Sequence, residues 1–271
     1  MNFKQKLQNI IKKNNSLLCI GLDTELDKLP KHLLTNSDPM FAFNKAIIDQ
    51  TADLVCSYKP NIAFYESYGI AGLTSLKKTI EYLKDKYPEI PIIIDAKRAD
   101  IGNTARMYAK ALFEYWGADA TTVYPYLGLD SVLPFLEYKD QCTILLIRTS
   151  NPDAKTFQDQ KINGEPFYIK IAAEIKKWKF DNIGLFVGAT YPEELGKVRT
   201  LFPNSPILTA GLGAQRAQIE KAIKAGIDKD GGNLICNNSR EIIYAGSEED
   251  FAEKSAKKAV EIRDNINKYR F

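Results

Sequence analysis

The sequence predicts an α/β fold, a single (β/α)8 TIM barrel over residues 1–271, and three observations predict it. Strand-like and helix-like runs alternate eight times. No Ser/Gly-rich linker or shift in composition divides the chain. Polar residues collect where the strand-like runs end, and a closed parallel barrel would bring those ends together on one face.

The strands are read from short apolar runs bounded by turn residues. They are expected at Leu17–Asp23, Cys56–Asn61, Ile90–Lys97, Ala120–Tyr126, Thr143–Ser150, Asn182–Ala189, Pro206–Gly211 and Asn233–Ser239. The third is the most telling, because three successive isoleucines, Ile92 to Ile94, suit a strand buried on both faces. Between the strands, apolar residues recur at three- and four-residue spacing. This places helices at Ala42–Val55, Leu73–Tyr87, Thr104–Trp116, Leu129–Leu136, Ile169–Trp178, Glu193–Phe202, Gln218–Ala225 and Phe251–Tyr269. The polar, turn-rich stretch Asn151–Pro166 reads as a loop inserted over the active face.

Composition narrows the function. With 37 Lys+Arg against 34 Asp+Glu the net charge is +3, and no basic stripe with interleaved aromatics marks a nucleic-acid partner. No apolar run is long enough to span a bilayer. Met1 to Asn15, rich in lysine and asparagine, lacks the apolar core of a signal peptide. A soluble, cytoplasmic protein is expected. The four cysteines, Cys19, Cys56, Cys142 and Cys236, form no CxxC pair and read as reduced, buried small hydrophobes. His32, the single histidine, sits in a Lys-Leu-Pro-Lys-His loop and reads as a surface residue. A zinc site is therefore poorly supplied.

The chemistry-bearing residues sit at strand ends. They are Asp23, Lys59 with Asn61, Asp95 with Lys97, Arg148 to Asn151, Gln215, and Ser239 with Arg240. An open doubly wound sheet would not gather all of them. The third strand runs straight into Asp95-Ala96-Lys97-Arg98-Ala99-Asp100, and charges at the end of a buried strand are costly unless paired. Asp95 and Lys97 are two apart, so on a regular strand they share a face. Two late segments, Thr209–Gln215 and Asn237–Arg240, read as a phosphate site. Glycines there allow close backbone approach, a helix follows, and Arg240 can add a charged contact.

These motifs resemble the orotidine 5′-phosphate decarboxylase family. Asp95-Ala96-Lys97-Arg98-Ala99-Asp100-Ile101-Gly102-Asn103-Thr104 is similar to its signature. Gly21-Leu22-Asp23, Tyr58-Lys59-Pro60-Asn61, Gly211-Leu212-Gly213-Ala214-Gln215 and Asn238-Ser239-Arg240 resemble its other segments. The Lys59-to-Asp95 spacing and the late variants are similar to the family's second subgroup. The resemblance implies cofactor-independent decarboxylation of orotidine 5′-phosphate to UMP in pyrimidine biosynthesis, with no metal. It implies a charged network of Lys59, Asp95, Lys97 and Asp100, with Lys97 protonating C6 of the pyrimidine. Asp100 would come from the other subunit of a homodimer, and Thr104 would reach the neighbour's ribose. Asp23 and Lys59 would hold ribose hydroxyls beside Asn61, Ser150 would touch the base, and Gln215 and Arg240 would hold the phosphate. Asn151–Pro166 and Gly211–Gln218 would be lids. Ala210 stands where the family usually has proline.

Rival readings stay open at this stage. A magnesium-dependent sugar-phosphate decarboxylase or aldolase would need a further carboxylate, for which Glu66 is the nearby candidate. A Schiff-base aldolase would need Lys97 with a lowered pKa, and flanking carboxylates push the other way. A non-catalytic nucleotide-binding barrel would bind UMP without turnover.

Overall fold

The computed structural model of the chain describes residues 1–211 and 216–270. Eight parallel strands form one sheet: β1 (Leu18–Gly21), β2 (Ser57–Lys59), β3 (Ile93–Arg98), β4 (Ala120–Val123), β5 (Cys142–Arg148), β6 (Ile183–Val187), β7 (Ile207–Ala210) and β8 (Leu234–Asn238). Their order runs β2-β1-β8-β7-β6-β5-β4-β3. Parallel bridges Tyr58–Ile92 and Asn61–Asp95 join β2 to β3 and close the sheet into the expected barrel. The Tyr58 amide also donates to the Pro91 carbonyl at 3.1 Å, and the Asp95 amide to the Pro60 carbonyl at 3.0 Å.

The strands form where burial on both faces rewards them. Ile92, Ile93 and Ile94 are all buried, each worth roughly 1.5–3 kcal/mol of transfer free energy. All four cysteines are buried and free, matching the sequence reading. Burial pushes the thiols of Cys19 and Cys142 up to about 12, so both are held as neutral thiols.

Several elements differ from the sequence expectations. Met1 to Asn15 is a helix, Phe3–Asn14, opened by a capping box in which Asn2 Oδ1 accepts from the Gln5 amide at 2.9 Å. Phe3, Leu7, Ile10 and Ile11 bury one face of it. The Phe3 amide donates to the Asp140 carbonyl before β5, and Lys6 pairs with Asp119 before β4 at 2.9 Å. This helix therefore covers the amino-terminal mouth of the barrel. The helix expected at Thr104–Trp116 instead begins at Gly102, is α-helical to Lys110 and continues as a π-helical turn, Ala111–Tyr115. Asn151–Pro166 is not a plain loop. It holds a 3-10 turn, Pro152–Thr156, and a hairpin pairing Lys161–Ile162 with Glu165–Pro166.

Candidate active site

The carboxyl ends of β2 and β3 bring three charges together. Asp95 Oδ2 accepts from Lys59 Nζ at 3.1 Å, and Asp95 Oδ1 accepts from Lys97 Nζ at 2.6 Å. Thr122 Oγ1, on β4, donates to the same Oδ1 at 2.8 Å. Lys59 and Asp95 are both buried. Burial alone would push the Asp95 carboxyl up, but Lys59 and Lys97 outweigh it and hold the group well below the usual carboxylate range. For Lys59, burial would lower the pKa; Asp95 and Asp23 reverse this and raise it. Lys59 and Asp95 keep each other ionised.

Lys97 reaches Asp95 by a route that regular strand alternation does not supply. The β3–β4 ladder pairs Ile94 with Thr121 and then Arg98 with Val123, so Asp95, Ala96 and Lys97 bulge opposite Thr122. Within the bulge Lys97 has φ +45°, a left-handed conformation that costs a non-glycine residue roughly 1–2 kcal/mol. At the bulge the Lys97 side chain stays part-exposed while its partner Asp95 is buried.

The other expected residues fall around this network. Asp23 follows β1, and its Oδ1 is buried without a hydrogen-bond partner among the described residues. Its backbone carbonyl is held by the Tyr244 hydroxyl at 3.1 Å. The Asn61 backbone bridges to Asp95, while Asn61 Oδ1 accepts from the Ala63 amide at 3.1 Å. Gly21 permits the β1–β8 approach there, since a Cβ on it would lie 1.8 Å from Ser239 Oγ. Arg240 opens the short helix Arg240–Ile243, exposed and with no side-chain partner among the described residues. Ser150 is exposed just past β5 and packs close against Gly188. Gln215 lies outside the described residues, and so does part of the Gly211–Gln218 segment.

Two expected residues do not join the network within one chain. Asp100 Oδ1 accepts from the adjacent Ile101 amide at 2.8 Å instead of meeting Lys97. Thr104 is exposed on the first turn of the Gly102–Lys110 helix. Glu66, the candidate metal ligand, accepts from Arg98 Nη2 at 2.8 Å. Among the described residues, no cluster of three His, Cys, Asp or Glu side chains suits a metal ion.

Sequence reasoning missed what supports the site. Arg148, fully buried at the end of β5, places Nε 2.8 Å from Asp159 Oδ1 and stacks 4.0 Å over the Tyr191 ring. Gln158 Oε1 accepts from the Thr149 amide at 2.8 Å. These contacts fasten the Asn151–Pro166 segment to the barrel rim. Arg148 carried a signal as a charge at a strand end, but its partners did not. Thr122 carried none beyond β-propensity.

The family model described as orotidine 5′-phosphate decarboxylase / HUMPS family matches residues 16–255. An orotidine 5′-phosphate decarboxylase from Cellvibrio japonicus is 48% identical over 271 residues, covering 98% of each chain. The structure of Leishmania donovani OMP decarboxylase superposes with a TM-score of 0.87 at 32% identity, covering 100% of this chain and 99% of that one. The UMP synthase of the same organism matches equally well in fold, TM-score 0.87 at 33% identity, but this chain spans only 57% of it. The chain belongs to the orotidine 5′-phosphate decarboxylase family.

Proposed function

We propose that this chain decarboxylates orotidine 5′-phosphate to UMP without a cofactor, and that Lys97 supplies the proton. One observation carries the reading. An ammonium at the mouth of a barrel is held at 2.6 Å against a buried carboxylate that a second, buried lysine keeps ionised. When the C6–carboxylate bond breaks, CO2 leaves and the electron pair stays on C6. A fixed positive charge beside C6 stabilises that pair in a site of low dielectric. The Lys97 proton then forms the new C6–H bond, and the neutral amine recovers a proton from solvent. The network starts and ends with the same charge.

Substrate roles follow the same geometry. The buried Oδ1 of Asp23, without a partner among the described residues, suits a ribose hydroxyl, with Lys59 and Asn61 beside it. Arg240, without a side-chain partner among the described residues, suits the phosphate together with Gln215, and Ser150 suits the base. Holding a remote phosphate supplies binding energy for closing the rim over the reacting ring. The Schiff-base alternative is disfavoured because Lys97 is paired to a carboxylate, and the magnesium alternative because Arg98 occupies Glu66.

The proposal includes a homodimer with shared sites. Asp100 and Thr104 lie away from their own Lys97, next to the exposed apolar side chains of Ile101 and Met107. A second copy covering that face would bury them and deliver Asp100 to the neighbouring Lys97. The reading is also compatible with a soluble protein; among the described residues no helix is long and apolar enough to cross a membrane.

The test is loss of orotidine 5′-phosphate absorbance with purified protein. Turnover unchanged by EDTA is expected. Absence of turnover would reject the activity, and loss with EDTA would favour the magnesium reading. For the shared site, Lys97→Ala and Asp100→Ala homodimers should each be nearly inactive. Co-refolding equal amounts makes half the dimers mixed, each with one intact site, so activity should return to about a quarter of wild type. No recovery despite heterodimers seen by mass spectrometry would place both residues in one chain.

A further inference from the structure

We propose that Thr122 is a positioning residue for this reaction, one hydroxyl fixing both the carboxylate of Asp95 and the backbone of Lys97. The inference rests on the role given to Lys97 above. Thr122 Oγ1 accepts from the Lys97 backbone amide at 2.9 Å and donates to Asp95 Oδ1 at 2.8 Å. The direction of both bonds is set by chemistry. An amide N–H only donates and an ionised carboxylate only accepts, so the hydroxyl proton must point at Asp95.

The bulge explains why a side chain is needed there. With Ile94 paired to Thr121 and Arg98 to Val123, the ladder skips the residues between them. The Lys97 amide then bonds to a hydroxyl where a regular ladder would offer a main-chain carbonyl. Lys97 also carries the left-handed φ of +45°, which persists only where surroundings hold it. The result is a closed ring. Lys97 is tied at its backbone to Thr122 and at its ammonium to Asp95, and Thr122 joins the two.

The plainer alternative is that a buried threonine merely satisfies its hydroxyl. Thr121 next door is such a case, donating to the Ile94 carbonyl at 2.9 Å and touching no charged group. The two threonines are equally buried and adjacent on β4. They differ in what the hydroxyl holds, which makes Thr121 the matched control.

Thr122→Val keeps size and branching and removes both bonds. It should lower kcat about 10- to 100-fold while KM and the Kd for UMP stay within about threefold, because the hydroxyl is assigned no ligand contact. Thr122→Ser should restore kcat to within about threefold of wild type. Thr121→Val should leave kcat within about twofold, even where its melting temperature falls as far as that of Thr122→Val. Amide hydrogen exchange on the peptide spanning Lys97 gives a readout independent of turnover. Protection at Lys97 should be lost in Thr122→Val and return in Thr122→Ser. Should the valine variant not fold, Thr122→Cys, close in size and a weak hydrogen-bonding group, takes its place with the same expected losses. Unchanged kcat, equal losses in kcat and UMP affinity, or failure of serine to rescue would each overturn the proposal. If wild type itself does not turn over the substrate, the functional reading fails. The exchange result still decides whether Thr122 holds Lys97.

Discussion

The two ends of the barrel bury positive charge in opposite ways. At the carboxyl end, Lys59 and Lys97 share one carboxylate, Asp95, while Asp23 Oδ1 beside them has no partner among the described residues. At the amino end, Arg199, in the last turn of the Pro192–Leu201 helix, is buried among backbone carbonyls. Its Nε donates to Gly226 at 2.8 Å, Nη1 to Phe202 at 3.0 Å and Ser205 at 2.7 Å, and Nη2 to Asn233 at 2.7 Å. Burial pushes its pKa down to about 10, partly opposed by Asp228. A guanidinium whose nitrogens are all used by main chain can only hold that main chain in place. The cluster at the other end keeps capacity in reserve, and reserve is what a ligand needs. Saturation thus separates a structural buried charge from a functional one.

Removing the shared carboxylate should give the largest effect. Asp95→Asn should abolish turnover and cost roughly 3–5 kcal/mol of stability at pH 7, the scale for leaving a buried charge unpaired. Its pH dependence has a definite sign. In wild type the depressed Asp95 pKa contributes stability above the unfolded value of about 3.9, lost as pH falls through the folded one. The raised Lys59 pKa contributes below about 10.4, lost as pH rises through the folded one. The network therefore contributes a constant amount between about pH 5 and 9. In the variant, Lys59 keeps its burial but loses Asp95, so its folded pKa should drop below the unfolded one. The unfolded state then binds more protons, and the stability gap from wild type should narrow as pH climbs from about 7 to 9.5. Urea unfolding at both values measures this; a gap that widens would show that Asp95 is not what keeps Lys59 charged.

Next in size is Arg240→Ala, the test of reserve at the functional end. Losing one charged phosphate contact should cost about 2–4 kcal/mol in kcat/KM. A substrate lacking the phosphate should barely notice the change. Equal losses with both substrates would make Arg240 structural and blur the contrast between the two ends.

Arg199→Leu sharpens the contrast from the other side. It removes a charged donor from carbonyls of two helix ends and two pre-strand loops, which should cost about 2–3 kcal/mol of stability. The kcat/KM per folded enzyme should not change. A selective loss of kcat at unaltered melting temperature would mean that the amino-terminal end communicates with the site.

Much of the fold was legible because local pattern records burial. The isoleucine run of β3 and the three- and four-residue apolar spacings mark elements by what each must hide, whatever its neighbours are. The amino-terminal helix was legible too, in Phe3, Leu7, Ile10 and Ile11 behind Asn2 and Gln5, but lysines and asparagines masked the period. Asp23, Lys59, Asp95, Lys97 and Arg240 were readable as candidates because each ends or follows a strand. Asp100 and Thr104 were readable only as part of a motif, since spacing cannot place a side chain across an interface.

The sequence by itself determined the eightfold alternation of strand and helix, the strand ends as the place where charge collects, and the burial of the cysteines. Tertiary structure alone decided that β3 bulges against β4, that Lys97 turns left-handed, and that Thr122 spans the gap while Thr121 does not. It alone also decided that Arg199 is saturated while Asp23 Oδ1 has no partner among the described residues. The physical reason is range. Burial preference is a property of each residue and its nearest neighbours, so it survives in the linear order. Hydrogen-bond partnership across 25 positions or more depends on register, and one bulge reassigns every partner beyond it.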